Sequence, residues 1–395
     1  MKPAAAVFAN LGTTIFEVMS RLAVEHSAVN LGQGYPDGNG PDDVREHAQT
    51  ALADRPNQYP SMWGVPELRQ AVAAHAQRFY GLAVDPMSEV LVTSGATEAL
   101  ASCLLGLIEP GDEVVMIEPL YDSYLPIVRR AGGIPKLVRL SPPGWSLPQD
   151  ELAKAFSDKT KLIILNSPMN PTGKVFNAEE LKFIAGLLER HDAYAVCDEV
   201  YEHLVYDNRK HIPLITLPGM RERCLRIGSA GKTFSLTGWK IGYVTGAPAL
   251  LQPVAKAHQF LTFTTPPNLQ RAVAYGLQKD DAYFAGLAAE LAIKRDMLTR
   301  GLRDCGFEVL PTAGTYFICT DISGLAAGAV DADFCQRLTR EVGVAAIPVS
   351  VFYEANAPTH YVRFAFCKDQ PMLDEALRRI AAKLPTAARS QAARA

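Results

Sequence analysis

Between about residues 89 and 246 the chain alternates short apolar runs with longer stretches of helical periodicity. The runs at 90–93, 113–117, 162–165, 194–198, 225–228 and 241–245 predict strands. Several are continuously apolar, as expected of strands covered on both faces. Stretches 97–108 and 178–190 predict helices between them. Such alternation implies an α/β unit with a mostly parallel sheet flanked by helices. Ligands of such sheets sit outside the carboxyl ends of the strands. A long helical stretch at 281–305 then leads to a different pattern, in which 307–320, the helix-like 331–342 and 361–366 read as a small α+β lobe. Residues 385–395, rich in Ala, Ser, Arg and Gln, read as a frayed tail.

Length changes the picture by requiring more than one core: 395 residues predict two domains, or one domain with a lobe. The net charge of −3, from 39 basic and 42 acidic residues spread along the chain, argues against a nucleic-acid surface. Seven scattered cysteines without a C-x-x-C pair argue against a disulfide framework or zinc ribbon and for a reducing cytoplasm. The N-terminus has no apolar segment followed by a small-residue cleavage site. The longest apolar run, 99–108, is broken by Ser102 and Gly106 and is too short to span a bilayer. These features predict a soluble, cytoplasmic protein. The eight histidines form no H-E-x-x-H or Cys/His cluster, so no metal is expected, and His203 and His258 read as packing or surface residues.

Candidate chemistry collects at the predicted strand ends. Ser94-Gly95-Ala96-Thr97 joins a strand to a helix start, where free N–H groups make an anion site without any basic residue; an ordinary helix cap is the alternative. In Asn166-Ser167-Pro168-Met169-Asn170-Pro171-Thr172-Gly173, two X-Pro steps and a glycine impose a rigid turn. Asp198 ends a buried strand in Cys197-Asp198-Glu199-Val200-Tyr201, a costly place for an acid unless it meets a cation or a donor. A protonated pyridine nitrogen would be such a partner, and a capping role is the alternative. Lys232 lies in Ser229-Ala230-Gly231-Lys232-Thr233-Phe234-Ser235, among small residues and hydroxyls, with Lys240 eight positions on. Those surroundings suit a lysine beside a bulky anion, or one that forms a Schiff base with a carbonyl carbon.

Together and in this order, these motifs resemble the class I and II pyridoxal-phosphate aminotransferases of fold type I, over about residues 15–367. The resemblance implies a large cofactor-binding domain at 41–285 and a small domain built from 1–40 and 286–395. It makes Lys232 the Schiff-base lysine, Asp198 the partner of the pyridine nitrogen, and Asn170 and Tyr201 the contacts of the ring's phenolic oxygen. Tyr121 resembles the aromatic that stacks on the ring, and Gly95, Ala96, Thr97, Ser229 and Lys240 the phosphate site. Tyr59 resembles the residue lent to that phosphate by the neighbouring subunit, which implies a homodimer. Arg363, in Tyr361-Val362-Arg363-Phe364, matches the arginine that grips the substrate α-carboxylate, beside Gly34. Gly32 and Gly34 also mimic the start of a dinucleotide fingerprint, but its third glycine and a surrounding βαβ unit are missing.

Specificity is less legible. Relatives dedicated to dicarboxylates carry a second arginine, and the matching stretch 260–267 here has hydroxyls and aromatics without a cation. Ile15, Phe16, Phe263 and Phe352 are candidates for an apolar side-chain pocket, with core packing as the alternative. The chain resembles the methionine and kynurenine aminotransferase branch, through Gly12-Thr13-Thr14-Ile15-Phe16 and Ile347-Pro348-Val349-Ser350 among others. A bulky neutral amino donor and a 2-oxo acid acceptor are therefore expected, with ping-pong kinetics. N-succinyl-diaminopimelate transamination and β-elimination of cysteine S-conjugates are the alternatives on the same site. A sensor domain fused to a DNA-binding module is not expected, because the resemblance begins by about Ile15.

Overall fold

The computed structural model describes residue 2, residues 4–9 and residues 11–384; the tail expected at 385–395 lies outside the described residues. Near the start, α1 (Ile15–Glu25) is capped by Thr14, whose hydroxyl accepts from the Glu17 N–H. The main sheet then assembles from β1 (Val90–Thr93), α2 (Gly95–Leu107), β2 (Glu113–Glu118), α3 (Tyr124–Arg130), β3 (Ile134–Arg139), β4 (Thr160–Asn166), α4 (Ala178–Arg190), β5 (Tyr194–Asp198), β6 (Cys224–Ser229) and β7 (Gly242–Thr245). Its seven strands run in the order β1-β7-β6-β5-β4-β2-β3. All neighbours pair in parallel except β7, which is antiparallel to both β1 and β6.

Side-chain alternation explains why these strands read as continuously apolar. Val115, Ile117, Ile163, Leu165 and Ala195 turn to the face packed by Leu181, Ile184 and Leu188 of α4. Their neighbours Val114, Met116, Leu162, Ile164 and Val196 turn to the face packed by Leu100, Cys103 and Leu104 of α2. Expected and observed strands agree at β1 and β5, and α4 matches its expected limits. There a capping box fixes the start: the Asn177 side chain accepts from the Glu180 N–H at 2.9 Å while the Glu180 carboxylate accepts from the Asn177 N–H at 3.0 Å. Of the sheet's two outermost strands, β1 is buried and apolar throughout, whereas the more exposed β3 escaped the sequence pattern. Its Pro135, Lys136 and Arg139 mark a strand with solvent on one side, and such edges lose the apolar signature.

Beyond the long helix α5 (Asp281–Asp304), a second sheet contains β8 (Glu308–Val309), β9 (Phe317–Asp321), β10 (Ile347–Pro348) and β11 (Tyr361–Ala365), all antiparallel, in the order β10-β11-β9-β8. The stretch expected as one helix at 331–342 is an α-helix only at Asp331–Arg337. It closes through a wider turn at Leu338–Val342 onto Gly343, whose φ of 84° suits glycine. The N-terminal segment joins this second sheet region through Val29 and Asn30, which pair in parallel with Val344 and Ala345.

All seven cysteines are buried. No helix among the described residues is long and apolar enough to cross a membrane.

Candidate active site

The carboxyl ends of the sheet strands open onto a cavity of about 370 Å³. Residues from the sheet, the second sheet and the N-terminal segment share its wall. Register alone brings part of it together: Asn166 pairs with Asp198 across β4 and β5, and Asp198 with Ile227 across β5 and β6.

Asp198 is 5% exposed, and burial pushes its carboxyl above the ordinary carboxylate range. The Tyr124 hydroxyl opposes that shift by donating to Oδ2 at 2.6 Å, and the Val200 N–H approaches Oδ1 at 3.4 Å. A buried carboxylate on a cavity wall calls for a cationic or N–H donor from the cavity side. Tyr121 and Tyr201 line the same space, and Tyr201 is buried. Asn170 is oriented by Asn166, whose Oδ1 accepts from the Asn170 N–H at 2.8 Å while its Nδ2 donates to the Asp198 carbonyl at 2.9 Å.

Lys232 sits on the one-turn helix Ala230–Thr233 that follows β6. It is half-buried, with its free side on the cavity. Burial chiefly, with Arg363 and Lys240 pushing the same way, lowers its amine to about 8, while Cys367 and Asp198 pull upward. Its Nζ donates to the Tyr316 hydroxyl at 3.0 Å and to the Gly34 carbonyl at 3.3 Å.

At the start of α2, Gly95 has a φ of 71°, and a Cβ there would lie 3.4 Å from Lys240 Nζ. The Lys240 amine thus hangs over the first N–H groups of α2, with Ala96, Thr97 and Ser229 on the same wall. Free N–H groups and an ammonium converging on open space are what a phosphate requires. Gly242 permits the approach: a Cβ on it would come within 2.7 Å of the Gly95 backbone.

Arg363 of β11 is 1% exposed. Its guanidinium donates to Asn170 Oδ1 at 2.9 Å and to the Gly32 carbonyl at 2.7 Å, and lies 4.0 Å over the Phe317 ring. Nε has no partner, and among the described residues no carboxylate forms an ion pair with this arginine. Burial lowers it to about 10, so it stays cationic at neutral pH. A buried guanidinium on a cavity wall without an ion-pair partner is built for an anion.

The cavity gathers most of the residues singled out in the sequence, including Gly34 and Phe16. Gly34, expected beside the substrate carboxylate, turns its carbonyl to Lys232, and the Gly32 carbonyl is the one that takes Arg363. Tyr59, Phe263 and Phe352 are not on the wall. Tyr59 is 82% exposed and meets the Phe263 ring edge-on at 5.4 Å on the surface. Phe352 is buried, its ring 6.0 Å from that of Phe16 and 5.3 Å from the Arg363 guanidinium, and Ile15 packs against the core. Sequence reasoning missed Tyr124 and Tyr316. Tyr124 had a signal in its spacing, three residues beyond Tyr121 at the start of α3; Tyr316 had none. His258 is buried, bridging Glu98 and the Met62 carbonyl. His203 lies 2.7 Å from His75, and with Glu202 they form a cluster of ligand-type atoms within 4.8 Å of one another. Glu202 is already engaged by Arg226, Tyr80 and Tyr243.

The residues fit pyridoxal phosphate. A buried acid, an amine of lowered proton affinity, an anion cradle and aromatic walls stand around one space of suitable size.

The sequence profile described as "Aminotransferase class I and II" matches residues 26–380. A probable N-succinyldiaminopimelate aminotransferase of Mycobacterium tuberculosis is 46% identical over 380 residues, covering 93% of this chain and 95% of the relative. Human kynurenine–oxoglutarate transaminase 1 is 39% identical, covering 91% and 94%. The solved structure of YbdL from Escherichia coli, reported with a methionine aminotransferase function, superposes with a TM-score of 0.94 at 38% identity, covering 97% of this chain and all of that one.

Proposed function

The chain belongs to the class I and II aminotransferases, which depend on pyridoxal phosphate, and we propose that it moves the amino group of a bulky neutral amino acid, of methionine, aromatic or kynurenine type, to a 2-oxo acid. When bound, the cofactor supplies an aldehyde that captures amines and a conjugated ring that accepts the electron pair left at the substrate Cα. Lys232 would hold the cofactor covalently and, once displaced, carry the proton from Cα as base and then acid. An amine lowered to about 8 serves both duties near neutral pH. Asp198 would hold the proton on the pyridine nitrogen, with Tyr124 fixing the carboxylate's orientation. Asn170 and Tyr201 would bind the ring oxygen and Tyr121 would cover the ring face. Gly95, Ala96, Thr97, Ser229 and Lys240 would bind phosphate. Arg363, preset by Asn170 and Gly32, would clamp the α-carboxylate.

One observation carries the choice of donor. Among the described residues the cations on the cavity wall are Lys232, Lys240 and Arg363, and each has a role in this scheme. None of them remains for a distal carboxylate, and the wall beside Arg363 is made by Phe16 and Phe317. Phe352 would support that wall from behind. The identity to the mycobacterial relative supports a second reading, N-succinyl-diaminopimelate, whose distal carboxylates neutral donors would then bind. Purified enzyme assayed with Met, Phe, kynurenine, Glu, Asp and N-succinyl-diaminopimelate separates the two. The neutral donors are expected to exceed Glu and Asp by at least about tenfold in kcat/KM, the scale of one unpaired buried charge or more. Dominance of N-succinyl-diaminopimelate would favour the second reading, and a clear preference for Asp would sink both.

The same reading makes the protein a cytoplasmic homodimer with a large domain at 41–285 and a small domain from the remaining residues. Exposed Tyr59, Phe260 and Phe263, at 82%, 84% and 40%, support a covered face. There Tyr59 would reach the partner's phosphate and Phe263 the partner's substrate pocket. Sedimentation of the holoenzyme at assay concentration should give twice the chain mass. A monomer would remove both residues from the site.

A further inference from the structure

Tyr316 stands immediately before β9 and is 1% exposed. A phenol hydroxyl so placed is costly unless both its donor and its acceptor capacity are used. The donor goes to the Gly34 carbonyl, and the acceptor receives Lys232 Nζ at 3.0 Å. Gly34 also accepts from Lys232, so the amine, the hydroxyl and the carbonyl close a triangle. Burial holds the phenol's proton affinity well above its ordinary value, so the hydroxyl keeps donating to Gly34 and keeps a lone pair toward the amine. The Tyr201 ring lies edge-on to Tyr316 at 5.2 Å and the Phe317 ring at 4.8 Å, which leaves the ring little freedom.

We propose that Tyr316 is a positioning residue for Lys232: its hydroxyl and the Gly34 carbonyl form the seat that holds the lysine amine whenever it is not bonded to the cofactor. A displaced lysine regains four rotatable bonds, and an amine left to sample them would reach Cα only a fraction of the time. The seat confines it to the cavity wall that it shares with Asp198 and Arg363. The inference rests on the reading of Lys232 as the proton carrier. Other groups that bear on the amine's charge are Asp198 of β5, Arg363 of β11, Lys240 and Cys367. The Tyr201 hydroxyl, which also hydrogen-bonds Tyr316, is held protonated by burial and adds no charge when the Tyr316 hydroxyl is removed.

Tyr316→Phe tests this, since it keeps the ring contacts and deletes only the hydroxyl. In cofactor-free protein, Lys232 is labelled by reductive methylation across pH and quantified by peptide mass spectrometry. Losing an acceptor of the ammonium should lower the midpoint by about one pH unit. This readout concerns the amine alone, so it stands even if another lysine proved to bind the cofactor. In the holoenzyme, kcat should fall about tenfold with KM for the donor changed less than about twofold, and the isotope effect with α-deuterated donor should rise. In a Lys232→Ala background, the same substitution should alter noncovalent cofactor affinity less than about twofold, because Tyr316 acts through the lysine. An unchanged midpoint and isotope effect, or an equal loss of cofactor affinity with and without Lys232, would overturn the proposal.

Discussion

Lys232→Ala is expected to lower transamination at least about 10⁴-fold while leaving the protein folded and able to bind pyridoxal phosphate without a covalent bond. The magnitude follows from what is lost together: a positioned acid–base group, itself worth roughly 10²–10⁴-fold, and the covalent hold on the cofactor. Folding should survive because the amine bonds to Tyr316 and Gly34 only and forms no ion pair among the described residues. Steady-state rates with the best donor, beside thermal melting of the same preparation, check both halves. A variant that turned over at wild-type rate would remove Lys232 from the mechanism.

Asp198→Asn should cost about a thousandfold in kcat, the scale of removing one preorganised charge from a dry site. The substitution keeps the volume, and its amide oxygen can still accept from Tyr124, so the loss reads the carboxylate charge rather than packing. Without that charge the pyridine nitrogen would have no counter-ion and would lose its proton at neutral pH. Because burial already pushes Asp198 upward in the cofactor-free protein, the sign of linkage is definite. The pyridinium supplies the cation that the carboxylate lacks, so binding should depress the aspartate and release a proton as pH falls toward its cofactor-free value. Calorimetry of cofactor binding in buffers of different ionisation enthalpy measures that exchange. A full-rate Asp198→Asn enzyme would contradict the role.

Much of this architecture was legible because burial on both faces forces strands to be apolar throughout, and because β1, β5 and α4 are bounded by turn and cap residues. The exposed edge strand β3 was not legible, since Lys136 and Arg139 answer to solvent, whereas the buried edge strand β1 was. The place of Arg363 on the cavity wall could be read because a guanidinium in an apolar strand has few uses besides an anion. Tyr316 could not: in Gly314-Thr315-Tyr316-Phe317 it reads as core, and only the meeting of three distant segments reveals its hydroxyl beside Lys232. Phe263 and Phe352 show the same limit from the other side. As sequence both suit an apolar pocket of the chain's own, whereas Phe263 lies on the surface against Tyr59, where it could serve only a partner's pocket, and Phe352 is buried against Phe16 and Arg363. What separates wall from core is the path of backbone far away in the chain.

Borohydride reduction of the holoenzyme, followed by peptide mapping, tests the central claim most directly. The phosphopyridoxyl mass is expected on the peptide carrying Lys232 and on no other lysine, with loss of the visible absorbance band. The same mass on another lysine, or its absence from fully cofactor-loaded protein, would contradict the account.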